Sequence, residues 1–368
     1  MKFYEYKAHE IFHKYGIPVP RGVLASRPED LMDPPLPCVV KAQVLVGGRG
    51  KAGGIRFAHT LEEARESARA ILGMAIGPYT VRHVFAQELL DITQELYLSI
   101  TIDRSARAPL LMACALGGID VESVPEDKLF KVHIPPLVGL QPYVLRALTK
   151  KLALPREIAN QVSDITRKAY ALFRAEDAEL VEINPLAVLK DGRVVAGDAK
   201  LIVDDNAEFR HPEYADLPQD RTPLEEEAHD KGITFIQLDG DIGVIANGAG
   251  LTMATLDLLN LKGGRGGAFL DLGGTDDPEK VKQAFEILLK ARPSVILLNI
   301  FGGITKADTV AIGVKVALES MHVNVPVVAR IKGMNEDRAR EILRGIGYPA
   351  ETIEQAAELA VRVRARGA

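Results

Sequence analysis

The first residues of the chain carry apolar side chains at a helical spacing. These side chains recur three or four positions apart, as on one face of an amphipathic helix: Tyr4, Ala8, Ile11, Phe12 and Tyr15. Gly16 and Pro18 follow, and both residue types end helices. The pattern therefore predicts a short N-terminal helix that packs by one face.

Between this helix and residue 175, apolar runs alternate with helical patterns. An apolar run begins at Cys38 and enters a glycine-rich stretch that ends at Gly54. The predicted elements after it are a helix over 61–73, strands over 82–87 and 95–102, and a helix over 155–175. The first half of the chain therefore mixes strands and helices.

Two apolar runs, over 179–189 and 193–203, flank the turn dipeptide Asp191-Gly192 and predict a β-hairpin. Polar or charged residues interrupt the runs at four positions: Glu182, Asn184, Asp198 and Lys200. Whether these residues share a face depends on the register of the hairpin, because a shift by one residue turns a side chain to the other face.

The register has two alternatives. A two-residue loop pairs 190 with 193 and puts Asn184 and Asp198 on opposite faces. A three-residue loop with a left-handed Gly192 pairs 189 with 193 and sets Asn184 opposite Asp198. The same register sets Glu182 opposite Lys200, so all four polar groups lie on one face, where oxygen ligands would suit Mg²⁺. A solvent-facing hairpin without a site explains the pattern equally well.

The second half of the chain changes character twice. Residues 205–230 are polar, contain several prolines and include an acidic run over 225–227, so we expect a solvated linker. Beyond them, apolar strands over 242–246, 268–272, 295–301 and 325–330 alternate with helical patterns. Such alternation predicts a parallel, doubly wound α/β domain from about residue 230 to the end.

Composition limits the class of protein. A chain of 368 residues is too long for one ordinary core. A net charge of -5 and the absence of tryptophan argue against a nucleic-acid partner. Two cysteines fit a reducing compartment, and the sequence shows neither a signal peptide nor a membrane-spanning run. We therefore expect a cytoplasmic protein, or one in an organelle matrix, with no membrane partner.

The glycine-rich stretch has the composition of a phosphate-binding loop. Glycines let a backbone approach phosphate oxygens closely, and Lys41, Arg49 and Lys51 add positive charge. The stretch lacks the spacing of a P-loop and of a dinucleotide fingerprint. A mobile surface loop is the alternative, but two glycine pairs with three cations favour phosphate binding.

Two more glycine motifs lie where predicted strands end and helices begin: Asn247-Gly248-Ala249-Gly250 and Phe301-Gly302-Gly303-Ile304. Ligands of open α/β sheets bind at that edge, and free N–H groups at helix starts favour anions. Ordinary helix starts that need glycine for clearance are the alternative. None of the eight histidines lies in a glycine-rich loop or at a zinc-ligand spacing.

A series of short motifs matches one protein family in order along the chain. These motifs lie at 5–8, 39–43, 47–54, 95–98, 103–104, 117–118, 182–186, 206–207, 209–210, 247–251, 299–304 and 323–328. With them the chain resembles the β subunits of succinyl-CoA synthetase (succinate–CoA ligase) over nearly its whole length. So many matches in order make chance similarity implausible.

The resemblance implies an α/β protein with an N-terminal ATP-grasp nucleotide-binding domain over 1–228. A flavodoxin-like, doubly wound CoA-ligase domain follows over 229–368. Several residues match positions that bind ATP or GTP in the family: Lys41, Gly48, Arg49, Gly50, Gln87, Glu88, Leu90 and Glu95. Asn184 and Asp198 match the ligands of Mg²⁺. The organic acid and phosphate would bind at Asn247, Gly302, Gly303 and Ile304.

The sequence departs from the family pattern at the hinge of the nucleotide site. The expected glutamate falls on Gln87, and a glutamate follows one place later at Glu88. Either residue can therefore be the hinge residue, and the contacts to the base stay open at this point.

The activity that the resemblance implies is reversible. A nucleoside triphosphate, succinate and CoA give succinyl-CoA, nucleoside diphosphate and phosphate. A partner α subunit would carry the phosphohistidine and the CoA site, in an αβ heterodimer or an α2β2 assembly. Glu182 would accept the imidazole N–H of that histidine, and a salt bridge from Glu182 to Lys200 is the alternative.

Other functions compete with this one. Malate–CoA ligases and citryl-CoA-forming subunits resemble the chain as well. A stand-alone ATP-grasp carboxylate–amine ligase would need no second α/β domain. A non-catalytic nucleotide-sensing subunit would be expected to lose Lys41, Asn184 or Asp198, all of which are intact here.

Overall fold

The computed structural model describes residues 1–77, 79–119, 121–214, 217, 221–273, 277–303, 306–321 and 325–367. The chain divides into two compact units, Met1–Asp220 and Arg221–Ala368. The division expected from the family resemblance lies later, after residue 228. Within the described ranges, no helix is both long enough and apolar enough to cross a bilayer.

The first unit is built on two larger sheets and a small strand pair. Its strands are β1 (Gly22–Ala25), β2 (Cys38–Ala42), β3 (Ile55–Ala58), β4 (Ala75–Ile76), β5 (Tyr79–Thr80), β6 (Val84–Glu88), β7 (Ile92–Asp103), β8 (Ala108–Cys114), β9 (Phe130–His133), β10 (Ala178–Leu189), β11 (Val194–Ala196) and β12 (Lys200–Val203). Its α-helices are α1 (Glu5–Lys14), α2 (Leu61–Ile71), α3 (Pro142–Lys151) and α4 (Arg156–Ala175). Short 3₁₀ helices lie at Pro28–Asp30, Val121–Ser123, Glu126–Lys128, Asp205–Arg210 and Pro212–Tyr214.

The smaller of the two sheets has the strand order β1-β6-β2-β3 and is antiparallel throughout. Its central strand β2 sends Cys38, Val40 and Ala42 into a core that it shares with α2. Because side chains alternate along a strand, Lys41 lies on the opposite face. The glycine-rich stretch connects β2 to β3.

The larger sheet has the order β11-β10-β7-β8-β9, and β12 also pairs with β10. Apolar residues of α1, α3 and α4 join those of the sheet in one buried core. The predicted hairpin is present, since the Leu189 N–H donates to the Arg193 carbonyl at 2.8 Å. Gly192 has a φ of +84°, so the three-residue loop is the correct alternative.

The second unit alternates strands and helices, as predicted. Its strands are β13 (Thr234–Gln237), β14 (Ile242–Ala246), β15 (Gly266–Asp271), β16 (Val295–Gly302), β17 (Val327–Gly333) and β18 (Tyr348–Pro349). Its helices are α5 (Pro223–Asp230), α6 (Ala249–Leu261), α7 (Pro278–Lys290), α8 (Ala307–Met321), α9 (Glu336–Ile342) and α10 (Ile353–Gly367).

The sheet of the second unit has the order β13-β15-β14-β16-β17-β18. Strands β14 to β18 pair in parallel, and β13 is an antiparallel edge strand. Without β13 the order is that of a flavodoxin-like fold. Ile296 and Leu298 face a core with α7 and α8, whereas Val295 and Leu297 face one with α6 and α10. The doubly wound prediction is therefore confirmed.

The expected linker over 205–230 is wrong as a description of the folded chain. Tyr214 is buried in the first unit, and its hydroxyl donates to Glu176 at 2.5 Å. Helix α5 has Thr222 as its N-cap and buries Ala228 in the core of the second unit. The polar stretch is therefore shared between the two units. Tyr214 anchors its first part in the first unit, and Ala228 anchors α5 in the second, so the units divide before α5.

Candidate functional site

A cleft of about 450 Å³ lies in the first unit, between the glycine-rich loop, the start of α1 and the β10 hairpin. Its lining includes residues from both motifs that the sequence analysis had singled out: Gly48, Arg49, Gly50, Glu182, Asn184 and Asp198. The fold therefore brings a predicted phosphate loop and a predicted metal site to one place, although they are far apart in sequence.

The register of the hairpin is the predicted one. Glu182 pairs with Lys200, and Leu186 pairs with Ala196. The same register, continued between these two pairs, sets Asn184 opposite Asp198. The described residues contain no direct ion pair between Glu182 and Lys200, so the alternative that had given Glu182 a salt bridge to Lys200 is not observed.

Asn184 and Asp198 form a donor set that fits Mg²⁺. Asn184 Oδ1 accepts a hydrogen bond from the Gly118 N–H at 2.7 Å, which fixes the orientation of the amide. Asp198 Oδ2 accepts from the Arg49 guanidinium at 2.8 Å. Both oxygens keep further lone pairs, and hard oxygen donors are the ligands that Mg²⁺ prefers. The residues present therefore suit the ion that the sequence analysis predicted.

The glycine-rich loop leaves its backbone accessible. A Cβ atom added at Gly47 or Gly48 would meet no atom within 4 Å. Gly48 has a φ of +78°, a conformation that favours glycine. Since nothing of the protein fills this space, a ligand can approach the backbone N–H groups of the loop, as a phosphate does in nests of this type.

Four charged side chains form a chain of contacts behind the loop. Lys41 Nζ donates to Glu5 Oε1 at 2.6 Å, and Arg49 donates to Glu5 Oε2 at 2.5 Å. Arg49 also contacts Asp198 Oδ2 at 2.8 Å. Lys41 and Glu5 are buried, with exposed fractions of 8% and 4%. The two positive and two negative charges therefore compensate one another inside the fold.

The arrangement shifts the pKa values of three carboxyl groups that line the cleft. Burial alone would raise the pKa of the Glu5 carboxyl, but the charges of Arg49 and Lys41 outweigh it and hold that pKa well below its usual range. Burial, followed by the neighbouring Glu5 charge, raises the pKa of Asp198. Burial is also the main reason why the pKa of Glu182 is raised, with Asp198 contributing in the same direction and Lys200 against it.

The structure separates the two candidates for the hinge residue. Gln87 is buried, and its Oε1 accepts from Lys41 Nζ at 2.9 Å. The Glu88 side chain instead pairs with Arg21 at 3.2 Å. The geometry thus brings Gln87, and not Glu88, to the lysine that was predicted to bind phosphate.

Other residues predicted to bind the nucleotide lie outside the loop cleft. Glu88 and Leu90 line a different cleft, of about 450 Å³, next to the hairpin tip. Glu95 lies on β7, and a Cβ at Gly118 would come within 2.3 Å of its Oε2 atom. Glu95 thus lies next to Gly118, which contacts Asn184, and the φ of +71° at Gly118 favours glycine there.

In the second unit, Asn247 joins the ends of two neighbouring parallel strands. Its Nδ2 donates to the Phe301 carbonyl, and its Oδ1 accepts from the Phe301 N–H, both at 2.9 Å. These contacts connect β14 to β16, where the strand order reverses and where open α/β sheets bind ligands. Gly302 is buried and Gly303 is exposed at this edge, and a Cβ at Gly303 would meet no atom within 4 Å. Ile304 lies outside the described residues.

Two residues of the site were not predicted. Glu5 has the central place in the charge network, but in the sequence it was noted only as part of the family motif at 5–8 and was given no role. Gly118 orients Asn184, but only its place in a family motif drew attention to it. In both cases the contact joins segments far apart in the chain, which no local pattern reports.

Comparison with known proteins gives the family. A family model described as ATP-grasp domain matches residues 2–188, and one described as CoA-ligase matches residues 245–363. The succinate–CoA ligase [ADP-forming] subunit beta of Pyrobaculum calidifontis is 45% identical, over 99% of this chain and 99% of its own length. The chain belongs to the family of succinate–CoA ligase β subunits.

Other members of the succinate–CoA ligase β-subunit family agree in length. The protein of the same name from Bacteroides thetaiotaomicron is 41% identical over 98% of this chain and 100% of its own length. Among solved structures, ATP citrate lyase from Methanothrix soehngenii superposes with a TM-score of 0.71 at 19% identity and covers 98% of this chain and 99% of that one. At that identity the likeness shows a shared fold and nothing more.

Proposed function

We propose that this chain is the nucleotide-binding β subunit of an ADP-forming succinate–CoA ligase. The observation that carries the proposal is the loop cleft. It combines an accessible glycine-rich backbone with two oxygen ligands on one hairpin face, and two largely buried cations lie behind the loop, in a chain of this family. The reaction would convert ATP, succinate and CoA to succinyl-CoA, ADP and phosphate, reversibly.

The residues of the cleft have distinct tasks in this reaction. The N–H groups of the loop over 48–50 and the charges of Lys41 and Arg49 bind the triphosphate and neutralise it. Asn184 and Asp198 hold Mg²⁺, which when bound supplies positive charge to the phosphate oxygens. Gln87, in contact with Lys41, marks the side of the site nearer to the base.

The phosphoryl carrier would be a histidine of a partner α subunit. A histidine in this role needs a group that accepts its ring N–H, so that the other nitrogen faces the phosphate. Glu182 lines the cleft and is not paired directly with Lys200. Its carboxylate can therefore accept that N–H and stabilise the charged ring.

The second unit would serve the acid and the phosphate. Asn247 and the glycines at 302 and 303 present amide groups at the end of parallel strands, where a carboxylate or phosphate can accept hydrogen bonds. The CoA site and the histidine would belong to the α subunit, in an αβ or α2β2 assembly.

The decisive test is a substrate panel on the complex co-purified with its α subunit. Succinate, malate and citrate would each be assayed with ATP and with GTP, and the same complex carrying Lys41→Ala would give the background. We expect the highest kcat/KM with succinate and ATP. A preference for malate or citrate would replace succinate within the same chemistry. Activity only with an amine acceptor would overturn the assignment as a CoA ligase.

A second test uses this chain without its partner. Incubated with labelled ATP and Mg²⁺, it should form neither a stable phosphohistidine nor acyl-CoA, because its histidines lack a glycine-rich neighbourhood. Addition of the α subunit should then give an acid-labile phosphorylated α chain. Stable phosphorylation of a histidine in this chain alone would contradict the assignment as a β subunit.

A further inference from the structure

One carboxylate, that of Glu5, holds two cations behind the glycine-rich loop at once. Its Oε1 contacts Lys41 Nζ at 2.6 Å, and its Oε2 contacts an Arg49 nitrogen at 2.5 Å. The side chain of Glu5 is only 2% exposed, and those of Lys41 and Arg49 are 10% and 11% exposed. Neither cation can therefore turn toward solvent without breaking a buried charge pair.

The position of Glu5 is fixed by the elements around it. Glu5 lies in the first turn of α1, where the partial positive charge of a helix N-terminus favours a carboxylate. Ala8, Ile11 and Phe12 of the same helix are buried in the core of the larger sheet. Before the helix, the Phe3 N–H donates to the Leu201 carbonyl of β12 at 3.2 Å. The carboxylate thus has a rigid support on the larger sheet.

The two cations come from the other side of the cleft. Lys41 is on β2, the central strand of the smaller sheet, and Arg49 is in the loop that follows it. Glu5 therefore connects the two sheets of the first unit at the point where the predicted phosphate loop begins. Nearby His9 adds no third cation at neutral pH, because burial lowers its pKa to about 4.

We propose that Glu5 is a positioning residue, which aligns Lys41 and Arg49 for phosphoryl transfer. The proposal rests on the proposed nucleotide site, since it concerns the residues that bind the phosphates there. It predicts a particular kinetic signature. Removing the Glu5 charge makes the phosphate site more positive, so nucleotide binding should not weaken, but the cations lose the fixed geometry that the reaction needs.

The test is Glu5→Gln in the complex with the α subunit, measured by the rate of phosphorylation at varied ATP. We expect kcat to fall about 10- to 100-fold, the scale of a small misplacement of reacting groups, while the KM for ATP stays unchanged or falls. Glu5→Asp keeps the charge but cannot span both cations, so its kcat should lie between those of Glu5→Gln and the unchanged protein. Glu10→Gln, on the exposed side of the same helix, is the matched control and should change neither constant.

A double variant separates positioning from a general loss of structure. If Glu5 acts through the cations, Glu5→Gln should have a much smaller effect on kcat in an Arg49→Gln background than alone. A purely structural role would instead lower the yield and thermal stability of both and leave the two effects independent. Should Glu5→Gln not fold, Glu5→Asp and its combination with Arg49→Gln carry the same comparison.

Two results would overturn the proposal. One is a kcat for Glu5→Gln equal to that of Glu10→Gln, and the other is a raised KM for ATP at unchanged kcat. Lys41→Ala tells this failure apart from a failure of the proposed function. If Lys41→Ala abolishes phosphorylation while Glu5→Gln does nothing, only the role of Glu5 is lost. If Lys41→Ala is also normal, the nucleotide site itself is misassigned.

Discussion

The loop cleft of the first unit and the strand-end edge of the second unit present very different surfaces to anionic ligands. At the cleft the charges are paired, Lys41 and Arg49 with the buried Glu5, and Arg49 also with the partly exposed Asp198. The edge is made of amides: Asn247 joins two strands, and the glycines at 302 and 303 follow. One region relies on side-chain charge and the other on hydrogen-bond donors.

The difference matches the ligands that the proposed function assigns to each region. A triphosphate with Mg²⁺ carries several charges, and cations held in place by counter-charges can stabilise it as it reacts. A small carboxylate or a single phosphate can be held by N–H groups at the end of parallel strands. Substitutions that change charge should therefore matter most in the cleft, and substitutions that change a hydrogen bond should matter most at the edge.

The strongest test of the cleft is Lys41→Ala. The change removes a buried positive charge and leaves Glu5 with Arg49 as its one charged partner, so phosphorylation of the α subunit should fall about 10²-fold or more, the scale of losing a key electrostatic donor. Lys7→Ala on the exposed part of α1 is the control and should leave the rate unchanged. Near-normal phosphorylation by Lys41→Ala would remove this lysine from the site.

Asp198→Asn tests the metal ligand with a residue of the same shape. It removes one negative charge beside Arg49 and a charged oxygen ligand, so Mn²⁺ binding, measured by electron paramagnetic resonance with ADP present, should weaken about 10- to 100-fold. Asp191→Asn is the control, because it makes the same substitution at the exposed hairpin tip, outside the loop cleft. Equal Mn²⁺ affinity in the two variants would show that Asp198 is not a ligand.

Much of this comparison could be predicted from the sequence, because it depends on local patterns. The hairpin followed from apolar runs around Asp191-Gly192, and the three-residue loop was among the predicted alternatives. The parallel sheet followed from regular alternation of strands and helices. The motifs at the strand ends were found because glycine and asparagine there interrupt strongly apolar runs.

The rest depends on contacts between distant segments. The pairing of Glu5 with Lys41 and Arg49 joins α1, β2 and the loop, and no periodicity along the chain reports it. The folding of residues 205–214 was missed because one buried tyrosine, Tyr214, anchors a segment whose composition is that of a linker. The contact that distinguishes Gln87 from Glu88, a hydrogen bond from Lys41, likewise joins two separate strands and has no signal in the local sequence.

Asn247→Ala tests the strand-end edge. The change breaks both hydrogen bonds to Phe301 and removes an amide at the proposed acid site, so the KM for succinate should rise about 10-fold, the scale of one or two lost hydrogen bonds. Phosphorylation of the α subunit by ATP should be unchanged, because the cleft is untouched. Asn260→Ala at the exposed end of α6 is the control. A slower phosphorylation of the α subunit in Asn247→Ala would contradict the proposal that the cleft serves the nucleotide and the edge serves the acid.

Asp271→Asn should have the smallest effect. It makes at the strand-end edge the same substitution that Asp198→Asn makes in the cleft, so the two variants can be compared directly. Asp271 Oδ1 accepts from the Gly248 N–H at 2.6 Å and from the Gly273 N–H at 2.8 Å. An asparagine oxygen can accept the same two hydrogen bonds, so only the gain from an ionised acceptor near the start of α6 is lost, about 1 kcal/mol of unfolding free energy. Urea unfolding should show that small decrease, with phosphorylation and Mn²⁺ binding unchanged. If Asp271→Asn instead reduced activity as strongly as Asp198→Asn, charge would matter equally at the edge and in the cleft, and the distinction between the two regions would fail.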